Sequence, residues 1–199
     1  MKFRVILFIA LLVSGTLLVA VNHAPEVSSI ELTACLQSDV GDCVRFPSVI
    51  GDTLNGETVT LPDFFTGEYN LVIVPFDREQ QEGVLEWLPF VEELQSEYNG
   101  LAYYSVGALP DLPAGVRLMI SGGMSFALDT AVRDVSILLY LEDQELFANS
   151  LSASTLDATQ LLMLNSDGEV IWQAQGTYSD SLANDLRSQI ESLNFTTRA

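Results

Sequence analysis

The chain has 199 residues and a formal net charge of −19, from 27 acidic against 8 basic residues. Lys2, the only lysine, and Arg4 precede every acid, so the rest of the chain carries 27 acids against 6 arginines. A surface this negative repels nucleic acid and anionic lipid, which excludes nucleic-acid binding as a function class. The acids are scattered rather than gathered in a tail, which argues against disorder. The length suits one domain with an ordinary core. A salt-adapted, lysine-poor proteome accounts for the charge balance, and so does an acidic face for a basic partner.

After Lys2 and Arg4 an uncharged apolar run extends from Val5 to Val21. Residues 1–21 are therefore an export signal peptide or a membrane anchor. No clean small-x-small cleavage site is present: cleavage after Ala20 puts Leu18 at the third position back, and cleavage after Ala24 puts Pro25 next. That favours an uncleaved anchor contacting the membrane through residues 5–21. The positive-inside rule then puts the domain on the extracytoplasmic, periplasmic side. Cleavage would instead yield a secreted or periplasmic protein. Residues 22–43 read as a polar tether holding Cys35, Cys43 and His23. Leu32-Thr33-Ala34-Cys35 matches a lipoprotein box superficially, but Glu26 and Glu31 separate it from the apolar run.

The domain occupies residues 44–199. Asn55-Gly56 between two extended segments predicts a hairpin with a two-residue turn. Asn70 to Phe76 is apolar throughout, as expected of a strand covered on both faces. Val84, Trp87, Leu88, Val91, Leu94 and Tyr98 fall at helical spacing and predict a helix over Glu82 to Tyr98, kinked at Pro89. Asn99-Gly100 ends it. A strand is expected over Leu101 to Leu109, then a helix over Pro113 to Leu128 weakened by Gly122 and Gly123. A second buried strand follows over Val135 to Leu141, with one short helical turn over Gln144 to Ala148. Thr159 to Trp172 predicts a hairpin turning at Asp167-Gly168. Leu182, Leu186, Ile190 and Leu193 make the apolar stripe of a closing helix, capped by Ser179 or Asp180. The order is an N-terminal hairpin, β-α-β-α, then β-β-α, an α/β fold whose β-α-β part requires a right-handed crossover.

Several features carry a resemblance at positions that keep this order: Phe46-Pro47, Leu54-Asn55-Gly56, Leu61-Pro62, Trp87 with Pro89, Leu109-Pro110, Gly123-Met124, Arg133-Asp134 and Asp167 to Trp172. Over roughly Arg45 to Leu193 the chain resembles the thioredoxin-like superfamily, including peroxiredoxins and membrane-tethered thiol oxidoreductases. More narrowly it resembles the mitochondrial ATP synthase assembly factor that chaperones subunit six, and its bacterial relatives. The resemblance implies a thioredoxin-like fold. It also sets the register of the active site. Counting about five positions on from Phe76, and about eight back from Pro89, puts the first cysteine of a Cys-x-x-Cys site at Gln81 and the second at Val84. Counting back from Gly168 puts the substrate-facing cis-proline at Thr159. Neither Gln81 nor Val84 can form the thiolate that thiol chemistry needs. A cis bond at a non-proline residue costs about 3 kcal/mol, so none is expected at Thr159. The resemblance thus implies a redox-inactive member that binds or assembles other proteins.

Cys35 and Cys43 form either a structural disulfide worth about 2–3 kcal/mol, or independent thiols, or the working pair of a thiol-disulfide or peroxiredoxin-like enzyme. The single histidine, His23, sits in the tether, which excludes histidine-based triads and histidine-rich metal sites. No metal or cofactor is expected. Asp77-Arg78-Glu79 is a solvated turn or a partner-contact patch. Ser121-Gly122-Gly123 lacks the lysine of a phosphate loop and reads as a helix end. No carboxylate spacing singles out an acid–base pair. The expected partners are a membrane and an exported or membrane protein client.

Overall fold

The computed structural model describes residues 44–193. The expected anchor, the tether, His23, Cys35 and Cys43 lie outside the described residues. One seven-stranded sheet organises the domain, in the order β2-β1-β5-β4-β3-β6-β7. The strands are β1 (Val49–Thr53), β2 (Thr58–Leu61), β3 (Tyr69–Val74), β4 (Leu101–Pro110), β5 (Ser136–Leu141), β6 (Gln160–Asn165) and β7 (Val170–Gln175). β3, β4 and β5 run parallel, and β6 and β1 flank them antiparallel. The expected hairpin thus docks through β1 on β5, and the closing hairpin docks through β6 on β3.

Alternation along the strands makes two cores. Leu71, Ile73 and Tyr103 pack with Trp87, Val91, Leu94, Trp172, Leu186 and Ile190 under helices α2 (Leu88–Glu97) and α6 (Asp180–Ser192). Val72, Val74, Tyr104 and Val106 face the other way, onto Phe46, Leu61, Leu139, Phe147 and Leu162. β3 is buried on both faces, which explains its unbroken apolar run. Ser179 caps α6 through its hydroxyl oxygen, which accepts from the Leu182 amide at 3.3 Å. Arg187 then ties α6 to α2 through Glu93 and Glu97.

The structure corrects several expectations. The helix after β3 begins at Arg78, four residues earlier than its apolar spacing indicates, and it is broken. Helix α1 (Arg78–Val84) passes through a 3₁₀ turn (Leu85–Trp87) into α2, with Pro89 in the first turn of α2. Proline is tolerated there because that amide has no helical partner to lose. The first hairpin turn is longer than two residues. Asp52 pairs with Thr58, Leu54 is buried within the turn, and Gly56 alone takes a positive φ of 86°. A short helix α4 (Thr130–Asp134) precedes β5, and β7 runs on to Gln175, beyond the expected end at Trp172.

Trp87 is 1 % exposed and packs edge-on to Phe90 and Tyr178. Trp87→Ala should cost about 3–5 kcal/mol in urea unfolding.

Arg45 holds the start of the domain to the β6–β7 turn, with Nη2 2.6 Å from a Glu169 carboxylate oxygen. Asn165 and Arg45 hydrogen bonds hold the Glu169 carboxyl below its ordinary value. A carboxyl lowered in the folded state contributes stability above its unfolded range and loses it as pH falls through the folded one. The Glu169 carboxyl carbon, followed by NMR, should titrate below the exposed glutamates. Glu169→Gln should remove that part of the acid-side fall in melting temperature.

Candidate functional site

The chain leaves β3 through Pro75 and Phe76, both buried, and enters α1 at the pole where the parallel strands end. Buried backbone groups must find partners there without water. The Phe76 amide donates to Gln80 Oε1 at 2.9 Å. The Phe76 carbonyl accepts from Gln144 Nε2 at 3.0 Å, and the same nitrogen donates to the Ala108 carbonyl at 2.6 Å. Gln144 opens helix α5 (Gln144–Ser150), so two glutamine side chains from different elements clamp one residue.

Asp77 caps α1. Its Oδ1 accepts from the Gln80 amide at 2.8 Å, and its Oδ2 accepts from Gln80 Nε2 at 3.3 Å. Gln80 Nε2 also donates to the Leu156 carbonyl at 2.6 Å. Gln80 therefore joins three segments: the end of β3, the start of α1 and the loop before β6. The positive end of the helix is already occupied by the Asp77 carboxylate.

The residues assigned from sequence separate into distinct environments. Asp77, Arg78 and Glu79 cluster at the turn, where Arg78 and Glu79 are exposed. Gln81 lies inside α1, its amide bonded to the Asp77 carbonyl at 3.1 Å. Its side chain is half-buried against β4, at Gly107. A Cβ added at Gly107 would lie 3.0 Å from Leu138 Cδ2, so the glycine makes room for Leu138, and at 3.7 Å it would only touch Gln81 Oε1. Val84 is buried in the core beneath α2 and α6. Thr159 is buried, and its carbonyl accepts from the Gly176 amide at 2.9 Å. Among the described residues the cis peptide is Leu61-Pro62, and the bond into Thr159 is trans. No cysteine occurs between residues 44 and 193.

Sequence reasoning missed Gln80 and Gln144. Gln80 had a signal: Asp77-x-x-Gln80 is a capping-box pattern. Gln144 had none, because its partners are backbone groups 36 and 68 residues away. The chemistry of the pole is that of amides and one capping carboxylate. Amides neither attack as nucleophiles nor titrate near neutral pH.

Beside Gln81 a cleft of ≈ 140 Å³ opens between α1 and helix α3 (Ala114–Ala127), with Gly107, Leu109, Ile120, Met124 and Leu138 on its walls. On its far side α3 leans on Tyr140. Arg117 stacks 4.6 Å above that ring, and the Tyr140 hydroxyl donates to the Arg117 carbonyl at 3.3 Å. Burial raises the Tyr140 phenol above its ordinary value, with Arg117 opposing and Asp52 adding to the rise.

No family model and no curated protein matches the chain. Solved structures do. A DsbF homologue from Corynebacterium diphtheriae superposes with a TM-score of 0.50 at 15% identity, over 85% of this chain and 95% of that one. BsSco, a member of the Sco family of cytochrome c oxidase assembly proteins, superposes with a TM-score of 0.50 at 13% identity, over 77% and 97%. The thioredoxin domain of a thiol-disulfide oxidoreductase from Bacteroides vulgatus gives 0.49 at 17% identity, over 75% and 98%. The fold is thioredoxin-like. The DsbF homologue and the Sco-family protein share it.

Gln80 and Gln81 adjoin in sequence but should behave oppositely. Gln80→Ala strands the buried Phe76 amide and should cost about 1–3 kcal/mol in urea unfolding. Gln81→Ala removes a half-buried side chain with no such duty and should cost no more than about 0.5 kcal/mol.

Proposed function

We propose that this chain is a redox-inactive thioredoxin-like protein that binds other proteins and assists their assembly. Its domain stands on the extracytoplasmic side of a membrane, anchored through residues 5–21 and spaced from it by the tether 22–43. The observation carrying this reading is the amide pole. In the register the resemblance implies, Gln81 and Val84 take the cysteine positions and Thr159 the proline position, while the helix end that would stabilise a thiolate is capped by Asp77. The Asp77-Arg78-Glu79 turn and the neighbouring Gln81 offer a polar contact surface; Arg78 and Gln81 contribute to it without being needed for folding. The narrower resemblance to the subunit-six assembly factor supports an assembly role. The fold likeness to a Sco-family protein, named for cytochrome c oxidase assembly, points the same way.

The test pairs an assay with a capture. The full chain should show no turnover in insulin reduction or peroxide removal. From native membranes, Arg78→Ala with Gln81→Ala should lower the yield of a co-purifying client at unchanged melting temperature. Thiol turnover abolished by Cys35→Ser or Cys43→Ser would replace this reading with a thiol enzyme working through the tether cysteines.

A further inference from the structure

Helix α3 differs from every other long helix of the domain. It has no buried residue. Leu118, Met119 and Phe126 are 73%, 75% and 95% exposed, and Val116 lies beside them at 40%. Scattered apolar side chains on a surface are ordinary, but a contiguous apolar face rimmed by charge marks an interaction site. The charge pattern sharpens the point. In a chain with 27 acids, residues 112–128 hold none. Their one charge, Arg117, is already paired with Asp111. If the carboxylates served solubility alone they would cover α3 as they cover α2, with Glu92, Glu93 and Glu97, and α6, with Asp180, Asp185 and Glu191.

The apolar surface continues off the helix. Met124 and Leu128 border a groove closed on its other side by Leu85, which is 43% exposed, and by Gln81. A Cβ added at Gly122 or Gly123 would meet nothing within 4 Å, so another backbone can approach α3 between Met119 and Phe126. Around this surface stand carboxylates. Asp52 lies on the β1 side, Asp77 and Glu82 on the α1 side, and Asp129 just past the helix end. Arg78 pairs with Glu82. Asp52, Asp77 and Asp129 enter no ion pair among the described residues.

We propose that α3 and the groove beside it dock an apolar polypeptide segment of another protein that carries lysine or arginine at its flanks. Val116 to Phe126 spans about 15 Å at the helical rise, which suits about three turns of a helix. The rim selects the occupant. Basic flanks meet carboxylates that hold no ion pair, whereas a second copy of this chain would bring the same carboxylates against them, and an anionic bilayer would be repelled. This assignment rests on the proposed binding role and names the class of client.

The test uses the full chain in discs of neutral phosphatidylcholine, with empty discs as the baseline. The probe is a fluorescent synthetic peptide with an apolar core of about twelve residues between lysines, followed by anisotropy. Saturable binding is expected. Exchanging the flanking lysines for glutamates should weaken it about tenfold or more, and raised salt should weaken it too. Leu118→Ser with Phe126→Ser should weaken it comparably at unchanged melting temperature, since both side chains are exposed. Binding that ignores the flanks, or that survives the α3 variant, would overturn the proposal. So would cross-links from α3 to a second copy of the chain. The two readings fail separately. If the peptide does not bind while the native client is still captured, the α3 assignment falls and the binding role stands. If thiol turnover appears beside intact peptide binding, the role falls and the surface stands.

Discussion

Phe76 leaves a strand buried on both faces and has no water to satisfy its amide and carbonyl. An unpaired buried group costs about 1–3 kcal/mol, so the chain must supply partners from nearby side chains. Gln80 supplies the acceptor and Gln144 the donors. Gln80 can reach back only if α1 starts at Arg78, and an early start carries Gln81 past the first turn and toward Gly107. The same glutamine fixes the Leu156 carbonyl and thereby the loop that leads into β6. One backbone requirement thus sets where the helix begins, how the pole closes and which groups remain at its surface.

That closure bears on chemistry. Thioredoxin-like redox sites need a thiolate near a helix N-terminus, where the free amides and the helix dipole favour negative charge. Here Asp77 already sits at that end and is bonded to Gln80 through both carboxylate oxygens. The pole holds its elements together rather than leaving a charge-stabilising position open. What remains exposed at its rim is a polar turn on one side and an apolar helix on the other. The two flanks of the same sheet face are unlike in packing. Under α2 and α6 large side chains such as Trp87 and Trp172 are sealed, whereas α3 buries none of its residues.

Most of the architecture was legible in the residues. Apolar runs gave β3, β4 and β5, Asp167-Gly168 gave the second hairpin, and the stripe from Leu182 to Ile190 gave α6. The start of α1 was not legible from periodicity, because its first turn is polar and is held by caps rather than by burial. The Asp77-x-x-Gln80 spacing carried that information instead. The first hairpin turn looked like two residues because Asn55-Gly56 suits one. Burial of Leu54, and the Asn55 amide reaching the Asp134 carboxylate, draw the turn wider. Gln144 could not be assigned because its role exists only when β3, β4 and α5 meet. Nor does the spacing of apolar residues in α3 reveal that Leu118, Met119 and Phe126 stay exposed among the described residues.

The central claim is that the domain engages other proteins through non-covalent surface and not through thiols. Photo-cross-linking from position 78 of the full chain in its native membrane tests this most directly. The account predicts a discrete protein adduct whose yield is unchanged by reductant and by Cys35→Ser with Cys43→Ser. Adducts that form only as mixed disulfides through Cys35 or Cys43, with none from position 78, would contradict it.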